Sequence, residues 1–291
     1  MELVPVSDPT VWRALTDDAP FVQSWCYGAV AEAFGAEVLR FDCRRDGESV
    51  AAVQCLSRRM GPVRFLYAPG GVHALGDVSD GLALSQIMRA CPGHAIAVAP
   101  GSVGLRVGTV SDSATVDLCA PRPKAWRNAV ARAGRKDLFV MEHAGCPDWL
   151  WARHRAHGRT RRFRGLPLRW LQEVERLRPG TVRTFAAYHG GAPVAGIVVL
   201  RQSGRWTYLI GWSGQAGRQR GAHNLLLDRA MTLAADAGAR RMDLGVASVA
   251  TPGLRRFKLS CGARIVTGTA IRAIFRPASG VFGVGWQKQR V

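Results

Sequence analysis

Apolar positions recur along this chain with two different periods. Between Phe21 and Phe34 they fall at helical spacing, and Gly35 follows as a C-terminal stop. Ser49–Ser57 (SVAAVQCLS) is instead a β-rich run, with a turn at Met60–Gly61 and a second run at Val63–Ala68 (VRFLYA) that ends in Pro69-Gly70-Gly71. This pairing predicts a hairpin. A similar order returns about 140 residues later, the sign of a duplicated unit. There an amphipathic stretch, Leu166–Leu177, stops at Pro179-Gly180, and Pro193–Arg201 (PVAGIVVLR) and Trp206–Gly211 (WTYLIG) flank a turn at Ser203–Gly204. Ala222–Ala237 predicts a further helix closed by Gly238, and Arg241–Gly245 a short strand. Lys124–Gly134 predicts a crossover helix, Leu82–Ala90 a helix, and Gly101–Val116 strand-like structure.

With 47% hydrophobic residues and 9 Trp the chain can bury a core. No run of about 18 apolar residues occurs, so no membrane span is expected. Met1–Ala19 carries Glu2, Asp8, Asp17 and Asp18 and lacks a basic start leading into an apolar stretch, so no secretory signal is expected. Seven cysteines are scattered without a CxxC pair, which fits reduced thiols in a cytoplasmic protein.

Charge changes the picture most. The formal net charge is +19, and it is placed unevenly. Residues 1–148 hold 15 Lys+Arg against 16 Asp+Glu, whereas residues 149–291 hold 25 against 5. No carboxylate occurs from Arg176 to Leu227 or from Leu244 to Val291. A general arginine bias would affect both halves, so the second half is expected to face a polyanion. Nucleic-acid phosphates lead, through counterion release, and an anionic membrane or a small anionic ligand is the alternative.

Three phrases resemble one family. Phe21-Val22-Gln23-Ser24-Trp25-Cys26-Tyr27-Gly28 looks like the opening motif of the FemABX-like transferases. Trp126-Arg127-Asn128-Ala129-Val130-Ala131-Arg132-Ala133 is similar to their basic crossover helix. Asp243-Leu244-Gly245, followed by Gly253-Leu254-Arg255-Arg256-Phe257-Lys258-Leu259-Ser260-Cys261-Gly262, resembles their closing motif. The resemblance spans about residues 20–275 and implies an α/β fold with mixed sheets, built as two tandem GNAT-like acyltransferase domains. The expected boundaries are 1–120 for the first domain, 121–148 for the crossover helix and 149–275 for the second, basic domain, with the tail 276–291 packing back on the first. Members of the family use aminoacyl-tRNA to extend peptidoglycan stem peptides or to add amino acids to small peptide-like natural products. Ala29, Val30 and Ala31 stand where the peptidoglycan members carry an acceptor-gripping lysine, which argues against a cell-wall acceptor and for a small peptide or peptidyl-nucleoside.

An aminoacyl ester on tRNA is already activated. The protein must hold it beside an amine and stabilise the oxyanion that forms, so positioning and one cation supply most of the rate. The resemblance puts Phe257 and Lys258 at the tRNA acceptor end, with Lys258 as the cation and Phe257 stacking on a base. Spacing alone reads Phe257 as core and Lys258 as a surface charge. Asp243 is a candidate to take the amine proton or orient a partner, or else a structural contact at a strand end. His223 is a candidate general base, or a capping or packing residue.

Trp149–Arg164 carries six arginines, two histidines and interleaved aromatics, a mixture that suits a phosphate-tracking surface. The family's acceptor-binding arginine falls in a Thr-x-x-Arg-like phrase. Thr160-Arg161-Arg162-Phe163-Arg164-Gly165 matches it loosely, leaving both Arg162 and Arg164 as candidates beside Trp25 and Tyr27 of the opening motif. Arg255, Arg256, Arg218, Arg220, Arg159 and Arg161 are the candidates to hold tRNA. His154 and His157, without a nearby carboxylate or thiol, predict no metal site. Arg218–His223 lies where acetyltransferases cradle the CoA pyrophosphate on backbone N–H groups, but it holds one glycine; it could take CoA, a tRNA phosphate or nothing.

No GxSxG elbow, Walker A loop or dinucleotide fingerprint occurs, so hydrolase, kinase and dehydrogenase readings lack support. The expected function is amide formation between a tRNA-borne amino acid and an amine of a small peptide, peptidyl-nucleoside or peptidoglycan precursor. Aminoacyl-tRNA is then the co-substrate and no further cofactor is needed. The alternatives are an acyl-CoA-dependent N-acyltransferase, which would take acetyl-CoA or another acyl-CoA, and a non-catalytic RNA-binding protein.

Overall fold

The computed structural model describes residues 1–161 and 166–276. Its first half runs β1 (Glu2–Pro5), α1 (Pro9–Leu15), a 3₁₀ turn (Phe21–Gln23), α2 (Trp25–Ala33), β2 (Glu37–Arg45), β3 (Glu48–Met60), β4 (Val63–Tyr67), β5 (His73–Ala74), α3 (Asp80–Ala90), β6 (Ile96–Pro100) and β7 (Leu105–Thr109). The rest runs β8 (Ser113–Asp117), α4 (Lys124–Gly134), β9 (Phe139–Ala144), α5 (Asp148–Arg161), α6 (Leu168–Leu177), β10 (Val182–His189), β11 (Ala192–Leu200) and β12 (Arg205–Ser213). It closes with α7 (Gln215–Arg220), α8 (Ala222–Asp236), β13 (Arg241–Val246), α9 (Pro252–Ser260), β14 (Arg264–Val266) and β15 (Ala270–Phe275).

The helix expected over Phe21–Phe34 starts later, for a local reason. Ser24 has an extended backbone, and its hydroxyl accepts from the Tyr27 N–H, so it caps α2 and leaves Phe21–Gln23 as a separate 3₁₀ turn. Gly35, with φ of +79°, then stops the helix as expected. The strand-like stretch Gly101–Val116 divides into β7 and β8, which belong to different sheets.

Two mixed sheets result. The first has the order β1-β2-β3-β4-β6-β15-β7, with β5 on β3; the second is β14-β8-β13-β12-β11-β10-β9. Each sheet takes a strand from beyond its own stretch of chain. β8, which precedes the expected boundary at residue 120, pairs with β13 and β14 of the second sheet. β15 inserts between β6 and β7 of the first. The chain therefore returns to the first sheet at residues 270–275, just before the tail expected to pack there; of that tail only Arg276 is described. Its side chain donates to the carbonyls of His94, Met88 and Cys91.

The two units share a core. Phe21, Cys26 and Val30 of the first pack with Leu150, Leu171, Val174, Val182, Leu200 and Ile210 of the second. Ion pairs border this seam. Asp18 meets Arg241 at 2.9 Å and Arg205 at 3.7 Å, and Asp17 meets Arg240 at 3.2 Å.

α2 is anchored by a buried polar network. Gln23 Nε2 donates to the carbonyls of Gln54 and Pro69, and its Oε1 accepts from the Gln54 N–H. Gln54 Nε2 donates to the carbonyls of Val22 and Ser24, and its Oε1 accepts from Arg40 Nε. Gly28 covers this network so closely that a Cβ would overlap Arg40 Nη2 and Gln54 Oε1. Gly28→Ala is therefore expected to destabilise the chain by about 1–3 kcal/mol, read as a lower urea midpoint at unchanged m-value.

Candidate active site

β12 and β13 run parallel for three residue pairs only, Arg205↔Arg241, Trp206↔Met242 and Thr207↔Asp243, although both strands continue. Past this point they diverge. Opposite the gap, β12 bulges against β11: Tyr208 pairs with Val199 and Ile210 with Val198, so Leu209 is the extra residue. The bulge keeps Tyr208 against the core beneath α8.

Lys258 of α9 reaches this gap. Its side chain is buried, and Nζ donates to the Val246 carbonyl at 2.6 Å. Nζ also lies 5.9 Å from the centroid of the Tyr208 ring. Burial pulls its pKa down to about 8. Phe257, the neighbouring residue, is half-buried against Trp126 of α4 and His223 of α8, at ring separations of 5.7 and 5.2 Å. Phe257 thus matches the packing role that spacing alone assigned, whereas Lys258 is not the surface charge that spacing implied.

Tyr208 and His223 form the floor beside the ammonium. The Tyr208 hydroxyl lies 3.0 Å from His223 Nε2. Burial pushes the Tyr208 phenol up, so it keeps its proton. Burial and then the Lys258 charge pull His223 down to about 4, leaving it neutral at pH 7. A neutral phenol and a neutral imidazole thus share one hydrogen bond, whose direction is set by the His223 tautomer. Gly211 makes room for the pair, since a Cβ there would overlap the Tyr208 hydroxyl. His223 lies between Tyr208 and Phe257 in this floor.

The other sequence candidates lie elsewhere. Asp243 accepts from Thr115 Oγ1 at 2.7 Å and meets Arg205 at 3.6 Å, so it belongs to the ion pairs along the seam, the strand-end contact that was the alternative. Trp25 is half-buried with the Arg40 guanidinium 3.9 Å from its ring centroid. Tyr27 packs against Phe21 and Trp170. Arg255 is held by Asp112 and the Ala247 carbonyl, and Arg220 by His189 and the Ala216 carbonyl. Arg159, Arg218 and Arg256 are exposed. Arg162, Arg164 and the side chain of Arg161 lie outside the described residues. The stretch Arg218–His223 is the end of α7 and the start of α8, joined at Gly221 with φ of +67°; the first turn of α8 has no side-chain cap. Sequence reasoning missed Tyr208 and Trp126. The alternation of Trp206 and Tyr208 was a signal for the first, and the Trp126 indole, which donates to Asp228 at 2.7 Å, becomes visible only when α4 meets α8.

The family profile described as acetyltransferase (GNAT) domain matches residues 124–259, which contain this whole arrangement. The structure aligns with a crystal structure of FemX at a TM-score of 0.73 and 12% identity, covering 95% of this chain and 98% of that one. The chain has the tandem GNAT fold. This fold is shared with a tandem GNAT protein of the clavulanic acid biosynthesis pathway, at a TM-score of 0.53 and 13% identity over 94% of this chain and 98% of that one. A C-terminal domain from Agrobacterium fabrum, described as that of a lysylphosphatidylglycerol synthetase, aligns at 0.55 and 16% identity over 93% and 94%. No curated protein matches this chain by sequence. Among its described residues no helix is long and apolar enough to cross a membrane.

The buried histidine makes stability depend on pH. His223 titrates near 6.5 unfolded and near 4 folded, so between these values the unfolded chain binds more protons. Its contribution is fully present above about 6.5 and is lost as pH falls toward 4. The expected loss from this residue is about 3 kcal/mol, read as a fall in melting temperature whose slope flattens in His223→Gln.

Proposed function

We propose that this chain is an acyltransferase that moves an aminoacyl group from tRNA to the amine of a small peptide or peptidyl-nucleoside, or of a peptidoglycan precursor. The observation that carries this reading is the Lys258 ammonium, buried at the divergence of β12 and β13 in the half of the chain that holds the excess positive charge.

The chemistry follows from what an ammonium can do there. Lys carries three N–H donors, and the Val246 carbonyl takes one. The other two are free to meet an ester carbonyl. A neutral amine attacks that carbonyl, a C–N bond forms, and the oxygen gains negative charge beside Nζ. Collapse of the adduct breaks the ester C–O bond, and the proton shed by nitrogen leaves with the ribose hydroxyl. A cation in a dry, fixed position stabilises the oxyanion more than water would, because the site needs no reorganisation. Exposed Arg159, Arg218 and Arg256 would meet phosphates of the donor. Phe257 supports the site by packing, and Arg162, Arg164, Trp25 and Tyr27 remain the proposed acceptor side.

One observation favours a second reading, transfer from an acyl-CoA. The uncapped first turn of α8, preceded by left-handed Gly221, leaves backbone N–H groups that could receive a pyrophosphate. The matched domain family is named for acetyl transfer. The tRNA reading is preferred because the charge of residues 149–291 far exceeds what a single CoA needs.

The deciding experiment incubates the protein with charged tRNA, labelled amino acids and a pool of amines, and identifies new amides by mass. RNase is expected to abolish the product. Product formed from acyl-CoA alone in RNase-treated assays would overturn the tRNA reading, as would a CoA thermal shift coupled to that turnover. Lys258→Ala is expected to lower turnover by about 10²–10³ with the fold retained. Because the ammonium is the active form, kcat/KM should fall as pH rises through about 8, and Lys258→Arg should move that limb upward.

A further inference from the structure

A second cationic site lies at the start of β12, before the strand reaches Tyr208. The end of β11, the turn into β12 and the turn between α6 and β10 enclose a cavity of about 350 Å³ lined by Arg178, Thr181, Arg183, Arg201, Gln202 and Trp206. A narrower cavity shares Arg178, Thr181, Arg201 and Gln202 and runs on to Arg13, Asp17 and Trp25 of the first unit. Lys258 lines neither of them.

Three guanidiniums face one cavity whose wall contains no carboxylate. Among the described residues, Arg178 and Arg201 have no ion-pair partner, and the acids nearby are engaged elsewhere. Glu175 accepts the N–H groups of Gly180 and Val182. Glu173 pairs with Arg176, and Asp17 pairs with Arg240. Arg183 has a single weak pairing, to Glu142 at 3.5 Å, and its Nε is buried without an acceptor. Arg201 is fixed in place, with its guanidinium 5.2 Å from the centroid of the buried Trp206 ring. Like charges gathered around one space repel each other, and a buried N–H without an acceptor is costly. An oxyanion with several acceptor oxygens relieves both, and guanidinium forks match phosphate geometry.

We infer that this cavity at the start of β12 is a phosphate-binding site, separate from the Lys258 centre. The phosphate belongs either to the backbone of an RNA or to a small phosphorylated ligand; the chemistry of recognition is the same.

The test is binding, which requires no turnover and so stands or falls independently of the proposed reaction. Inorganic phosphate is titrated calorimetrically into the full chain at low ionic strength. The wild type is expected to bind saturably. The double variant Arg178→Gln, Arg201→Gln should bind roughly ten-fold more weakly or worse, and Lys258→Ala should bind as the wild type does. Circular dichroism checks that the variants are folded. Arg178 is exposed, so Arg178→Gln alone keeps the test open if the double variant does not fold, with a loss of roughly three-fold or more expected. A single-stranded 12-nucleotide RNA is the second probe. If its salt slope falls by about 1.4 in the double variant, the phosphates come from RNA. If the slope is unchanged while phosphate binding is lost, the ligand is a small phosphorylated molecule. Absence of saturable phosphate binding, or equal binding by wild type and double variant, overturns the inference.

Discussion

The candidate centre depends on the early end of one hydrogen-bonded ladder. β12 and β13 pair from Arg205↔Arg241 to Thr207↔Asp243 and then part. Separated strands leave carbonyls without the partners that a continued ladder would have given them. Lys258 supplies a donor at Val246. The same step strips the ammonium of most of its water, pulls its pKa toward neutrality and leaves donors to spare. A group that satisfies the backbone is thereby poised to meet a developing negative charge.

The floor beneath that ammonium shows how neutral groups can be chosen by burial. Tyr208 and His223 touch, and Lys258 lies close by, yet only Lys258 is charged at neutral pH. A second cation beside the first would raise the cost of burying both. Keeping His223 neutral and the Tyr208 phenol protonated lets one hydrogen bond satisfy the pair without adding charge. Gly211 belongs to this arrangement because any side chain there would occupy the volume of the Tyr208 hydroxyl.

The seam between the units joins several of these constraints. Its apolar part is a shared core, and its border is a set of arginines, some paired with Asp17, Asp18 and Asp243 and some not. The exchange of β8 and β15 between the sheets ties the units twice by backbone pairing. Sliding one unit on the other would break ladder hydrogen bonds as well as apolar contacts, which gives a fixed wall to whatever binds there.

Local patterning carried the repeated hairpins, α4, α8, β13 and the α/β class, because strand alternation, helical spacing and glycine stops act over a few residues. The charge asymmetry is composition alone, and it was the resemblance of the closing phrase, not spacing, that singled out Lys258. The exchange of β8 and β15 was invisible to local patterning, since which sheet an edge strand completes depends on partners far away in the chain. So were the contact of Tyr208 with His223 and the neutrality of His223. Burial and distance set the charge and partners of a side chain, and both exist only once the sheets and helices have come together.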